Sequence, residues 1–244
     1  MSQKDISNPE EVIRDIELSK RKERIRNSKN VYKWHSPSEL KDMFAESIRE
    51  SNFLLEYAIK IEESNKDVAC DIYRQQIINL ESFFDYFCHS IFKYGFLKMF
   101  RGEWEKTEKY YKFQINLADV EKVINNYPDE SWLLEAVDNK TKNLTFMKYK
   151  DIKDNFNYFF PELIEKAATK VFKKGNQNDN LKEIREFLDS LYDRRNLIAH
   201  QHDRDFSTGK KNSISLENVK YYTRQLNLIV VAITEVLDER PDIE

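Results

Sequence analysis

Leu191-Tyr192-Asp193-Arg194-Arg195-Asn196-Leu197-Ile198-Ala199-His200 is the stretch on which the reading of this chain turns. On an ideal helix advancing roughly 100° per residue from Ile184, the side chains of Leu188, Leu191, Arg195 and Ile198 point within about 40° of one direction. A guanidinium therefore interrupts an apolar stripe. Taking it out of water is costly unless it meets an anion. That anion is either a phosphate or a nearby carboxylate, with Glu81, Asp85 and Asp193 as candidates. Alternatively, the arginine stem simply covers the core.

Outward from this stretch the chain reads as helices. A helix from Leu181 runs into the motif, and a polar loop follows at 204–214. Leu216, Val219, Leu226, Ile229, Val230, Ile233 and Leu237 then mark the buried face of a last amphipathic helix. Upstream, Pro161 opens a helix carrying Leu163, Ile164, Ala167 and Val171, which stops at the polar run Gly175–Asn180. Ser36-Pro37-Ser38-Glu39 has the grammar of a helix start and predicts a helix over 38–63. A more apolar helix is predicted from Asp67 to Tyr94, with Gly95 and Gly102 as the nearest breakers. Residues 96–160 read as an inserted segment of short helices, with Leu117–Val120 and Trp132–Leu134 as candidates and Leu144–Met147 as an alternative strand. The charged residues 1–35 form an N-terminal arm, with the basic run Lys20–Arg26 as a solvated face, and 36–244 form a single domain whose 181–238 part holds the motif helix, loop and last helix.

Composition supports an all-α helical bundle. The chain has 244 residues, 40% hydrophobic and 34% charged, with only 4 Gly and 5 Pro, too few for a sheet protein rich in tight turns. Isolated glycines at 95, 102, 175 and 209 write neither a Walker A loop nor a dinucleotide fingerprint. The net charge of -3 provides no global field for nucleic acid, so any RNA contact rests on local patches. Cys70 and Cys88 lack metal-ligand spacing, and no apolar leader or membrane span is present, so a soluble, cytoplasmic protein with no membrane partner is expected.

The string Arg195-Asn196-x3-His200 resembles the signature of the HEPN family: Arg, four to six residues, then His, with a polar residue after the Arg. Ile77-Ile78-Asn79-Leu80-Glu81-Ser82-Phe83-Phe84 resembles the first core helix of HEPN proteins of the RiboL-PSP and related groups. The resemblance covers about 65–95 and 180–238 and implies a compact helical bundle and a metal-independent endoribonuclease with no cofactor. It also implies a homodimer whose two motifs share one composite site, attack by the RNA 2′-hydroxyl, and products ending in a 2′,3′-cyclic phosphate and a 5′-hydroxyl. Toxins and anti-phage defence effectors belong to this family, so an antitoxin or defence-system partner is a further expectation. In that reading Arg195 holds the phosphate, His200 transfers protons, and Asn196 orients the imidazole or a phosphate oxygen. Toxins of the family silenced by a nucleotidyltransferase carry a Tyr two residues after the His; His202 stands there, which argues against that regulation.

Several alternatives stand beside this reading. His202 satisfies the spacing from Arg195 and falls on its helical line if the helix continues. Arg194 to His200 fits as well. Glu81 and Asp85, one turn apart, form either a carboxylate pair of their own or an acidic lining for Arg195. His35, His89, His200 and His202 supply no zinc pattern, and His89 reads as packing. Arg194, Arg204, Lys210 and Lys211 are the candidates for RNA backbone contact, with Lys220 and Arg224 beyond them and a middle cluster, Lys140 to Lys153, reading as solvated surface. The competing function is a non-catalytic HEPN module that binds RNA, nucleotide or a protein partner.

Overall fold

The structure, a computed structural model, describes residues 34–125 and 130–243, and all but Trp34 and His35 of the expected N-terminal arm lie outside them. Nine helices are described: α1 (Pro37–Ile61), α2 (Lys66–Phe100), α3 (Glu108–Tyr111), α4 (Leu117–Asn125), α5 (Ser131–Thr141), α6 (Tyr149–Phe156), α7 (Leu163–Phe172), α8 (Gln177–Gln201) and α9 (Leu216–Asp238). Among the described residues there is no strand, only an isolated bridge between Arg204 and Lys211. The fold is all-α.

The start of α1 follows from its sequence. Ser36 caps the amide of Glu39, the Glu39 carboxylate accepts from the Ser36 amide, and Pro37 occupies the first turn. Central to the bundle is α2, which packs against α1, α8, α9, α5 and α6. Its Tyr73, Ile77, Phe84, Phe87, Ile91, Phe92 and Phe96 are fully buried, each such apolar side chain contributing roughly 1.5–3 kcal/mol. The other side of the bundle is closed by α7, which packs on both α8 and α9.

Three boundaries differ from the sequence reading. First, α2 runs through Gly95 to Phe100. Gly95 is a packing residue there: a Cβ would stand 2.4 Å from the Phe159 ring carbons. The break falls at Gly102, whose φ of 76° takes the left-handed conformation that follows a helix end. Second, α8 begins at Gln177, inside the run expected to be a loop. Asn176 caps the Asp179 amide at 2.8 Å, and buried Asn180 accepts from the Lys174 amide at 2.8 Å, so the polar residues build the first turn. Third, Leu144–Met147 is neither helix nor strand. It is an irregular link whose Phe146 is buried and whose Phe146 amide donates to Asp85 Oδ1 at 2.7 Å.

The middle segment forms short helices, yet it is no separate appendage. Phe146, Ile152, Phe156 and Phe159 belong to the same buried cluster as α2, with ring contacts from Phe92 to Phe146 at 5.7 Å and from Phe96 to Phe113 at 4.5 Å.

Candidate active site

Helix α8 presents Arg195 to α2, as the interrupted stripe requires. Ile184, Leu188, Leu191 and Ile198 are buried around it. The Arg195 Nε lies 3.1 Å from Glu81 Oε2, with side-chain exposures of 22% and 1% respectively. The anion opposite the guanidinium is thus a carboxylate on the central helix. Their charges approach without an aligned hydrogen bond, and neither Glu81 oxygen has a hydrogen-bond partner among the described residues. Burial pushes the Glu81 carboxyl up to about 8; Arg195 opposes that shift and Asp85 adds to it.

The guanidinium also meets its neighbour, because Arg195 Nη1 donates to Asn196 Oδ1 at 3.0 Å. Asn196 therefore orients the arginine rather than the histidine. His200 sits exposed in the last turn of α8, and no described residue hydrogen-bonds its ring. Asp85, one turn beyond Glu81, accepts from the Phe146 amide and lies 3.7 Å from His89 Nε2. Its work is to anchor the middle segment. His89 packs edge-on against Phe146 at 4.4 Å between ring centres, and burial lowers its pKa.

Where α8 ends decides the position of His202. The helix stops at Gln201, and His202 and Asp203 both take left-handed backbone, φ 52° and 55°. His202 is therefore off the helical line of Arg195, contrary to the extrapolated helix. Asp203 causes the turn. It is fully buried, and its carboxylate receives Arg74 Nε at 2.7 Å, Arg194 Nη1 and Nη2 at 2.5 and 2.9 Å, and Asn212 Nδ2 at 3.2 Å. Arg194 Nη2 also donates to the Ser213 carbonyl at 3.0 Å, and Arg74 Nη2 to the Asn212 carbonyl at 2.8 Å. Arg194, expected to meet RNA, is committed to holding the loop.

The other expected RNA contacts divide. Arg204 Nη1 donates to the Gly209 carbonyl at 2.6 Å and Lys211 Nζ meets Asp71 at 2.7 Å, whereas no described residue pairs with the Lys210 ammonium.

Arg74 and Asp203 escaped the sequence reading, although a signal was present. Arg74 shares a face of α2 with Glu81, two turns away, and interrupts the apolar pattern just as Arg195 does on α8. Two charged positions on one stripe call for two partners, and the structure supplies Arg195 and Asp203. A groove of about 540 Å³ between α1 and α9, lined among others by Ile48, Leu55, Lys220 and Arg224, contains none of the motif residues. Among the described residues no group of three or more His, Cys, Asp or Glu side chains is arranged to hold a metal ion.

The family model described as RiboL-PSP-HEPN matches residues 42–239, from the first helix to the end of the last. The chain belongs to this family. No curated protein and no solved structure matches it. Membership in RiboL-PSP-HEPN points to a nuclease or otherwise RNA-related role and agrees with the all-α architecture. The matched span runs across the middle segment as well as the motif helix. Among the described residues no helix is long and apolar enough to cross a membrane.

Proposed function

We propose that this RiboL-PSP-HEPN protein is an endoribonuclease that needs no metal, with Arg195 and His200 as its catalytic residues. The observation that carries the reading is the placement of Arg195 on the motif helix, its Nε 3.1 Å from a buried carboxyl and its Nη1 on Asn196, with His200 exposed little more than a turn further on. Burial works against charge on that carboxyl, so it offsets the guanidinium charge less than an exposed acid does. The guanidinium keeps a positive charge for a phosphate. Asn196 fixes the guanidinium plane from the other side.

In the reaction the ribose 2′-oxygen attacks phosphorus and the bond to the 5′-oxygen breaks. One imidazole takes the 2′-hydroxyl proton and a protonated imidazole supplies the proton that the departing 5′-oxygen needs. Arg195 stabilises the charge that develops on the phosphoryl oxygens. The products are a 2′,3′-cyclic phosphate and a 5′-hydroxyl. A homodimer that brings two copies of the motif together provides both imidazoles, and the exposure of His200 at the helix end suits such sharing. A protein that is monomeric at the assay concentration would remove the shared-site part of this reading. A role as a toxin or anti-phage effector, restrained by an antitoxin or another defence component, is the biological setting that fits such an activity.

The test is incubation of the purified protein with mixed RNA in excess EDTA, beside Arg195→Ala and His200→Ala. Wild type is expected to cleave. Each variant should lose about 10²–10⁴-fold, the usual worth of a general acid or base. Binding without cleavage by the wild type would instead favour the non-catalytic module, and cleavage that survives both substitutions would put the site elsewhere.

A further inference from the structure

The loop between α8 and α9 carries a side chain that the fold does not use. Phe206 is 86% exposed, four residues beyond His202, and no described residue makes a ring contact with it. An exposed phenylalanine is unremarkable on a loose segment, but this segment is tightly built. The Asp205 amide donates to the Lys210 carbonyl at 2.9 Å, the Gly209 amide to the Asp205 carbonyl at 2.8 Å, and the Asn212 amide to the Asp203 carbonyl at 2.7 Å. The Asp205 carboxylate accepts from the amides and hydroxyls of both Ser207 and Thr208 at 2.6–3.1 Å, bonds that hold its pKa down at about 2 and keep it ionised. The base of the loop is fixed by buried Asp203. The ring is therefore presented on a rigid support.

Presentation of that kind lowers the conformational cost of binding, because the backbone that carries the ring is already ordered before the partner arrives. The surroundings decide which partner fits. A protein hot spot sits in a well-packed, desolvated pocket near the centre of a broad contact patch. Phe206 instead has Asp205, Ser207 and Thr208 as loop neighbours; of the loop's two anions Asp203 is buried under Arg74 and Arg194, which leaves Asp205 among three cations, Arg204, Lys210 and Lys211, the last paired with Asp71. Lys210 has its ammonium unpaired among the described residues. An aromatic face beside free positive charge, on a polar support, is what a nucleobase and its phosphate require.

We propose that Phe206 is a base-stacking residue that seats one unpaired nucleobase of single-stranded RNA beside the Arg195 and His200 site, with Lys210 on an adjoining phosphate. This rests on the reading of the protein as one that acts on RNA. It deepens that reading by giving the site a seat for one base: an unpaired nucleotide can stack on Phe206, whereas a duplex offers its bases with no free face.

The experiment uses the full chain in the His200→Ala background, so that binding is read without turnover. Fluorescently labelled oligoadenylate, oligouridylate and a duplex of equal length are titrated against that parent, and against the same protein carrying Phe206→Ala or Phe206→Trp. Phe206→Ala is expected to weaken single-strand binding about tenfold or more, the size of one lost stacking contact. Phe206→Trp should restore it and show quenching of the added indole by single strands. Duplex binding should be unchanged by both, and Tm should stay with the parent, since the ring packs on nothing.

Equal affinity of parent and Phe206→Ala, or equal losses for duplex and single strands, would overturn the proposal. So would a shift to a smaller oligomer on Phe206→Ala, which would make the ring a protein contact. RNA cleavage by wild type with unaltered Phe206→Ala binding would sink the stacking role alone. Phe206-dependent binding without wild-type cleavage would sink the nuclease alone, and a parent that binds no RNA would sink both.

Discussion

At 1% exposure the Glu81 side chain has exchanged water for apolar neighbours and one guanidinium. Its folded-state carboxyl holds a proton up to about 8, whereas the ordinary value is 4.5. Between those limits the folded protein binds a proton that the unfolded chain releases, so this carboxyl's contribution to stability is present below the window and is lost as pH rises through it. Glu81→Gln keeps the shape and removes the titration. Its melting temperature relative to wild type should therefore rise by several degrees between pH 5 and pH 8.5, at about 2–4 °C per kcal/mol for a chain of this size. Melting curves that stay a constant distance apart across that range would mean that Glu81 is ionised throughout. The same residue explains what was legible at this scale. Arg195 announced itself by interrupting a stripe, and Glu81 was among the acids within reach. Choosing Glu81 over Asp85 and Asp193 needed the rotation of α2 about its axis, which periodicity on one helix does not supply.

Among the elements, α2 and the end of α8 carry the arrangement. Gly95 lets the Phe159 ring pack against the α2 backbone, so Gly95→Ala should destabilise the protein by about 1–3 kcal/mol through overpacking. A gain in stability, as helix propensity alone favours by about 1 kcal/mol, would show that the ring can step aside. Asp203→Ala should cost about 3–5 kcal/mol in denaturant unfolding, because it removes the buried anion that Arg74 and Arg194 share and leaves Arg74 only the exposed Asp71. A change under about 0.5 kcal/mol would mean that the loop is held by its backbone bonds alone.

Helix existence and order were readable because apolar periodicity and caps are local: Ser36 and Glu39 mark the start of α1, and the α9 stripe runs from Val219 to Leu237. The misread boundaries have tertiary causes. Gly95 resembles a breaker until Phe159 is set against it, and Asn180 resembles loop until its side chain accepts the Lys174 amide. His202 was misplaced for a similar reason. The stop after Gln201 is fixed by an aspartate that two arginines from different helices hold, a contact invisible in a linear pattern.

On the scale of the whole molecule, a single buried cluster joins the bundle and the middle segment, and the RiboL-PSP-HEPN match spans both. Two acid–guanidinium contacts two turns apart on α2, Glu81 with Arg195 and Arg74 with Asp203, join it to the motif end of α8 and the loop after it. His200 stands between them at an exposed helix end, free of described partners. On the proposed reading, Arg195 meets the phosphate there and His200 the proton in transit. The catalytic claim is tested most directly by the chemistry of the RNA ends. After incubation in EDTA, the account predicts fragments with a 2′,3′-cyclic phosphate and a 5′-hydroxyl from the wild type, and intact RNA from Arg195→Ala and His200→Ala. Fragments bearing a 5′-phosphate and a 3′-hydroxyl, or the same fragments from either variant, would contradict it.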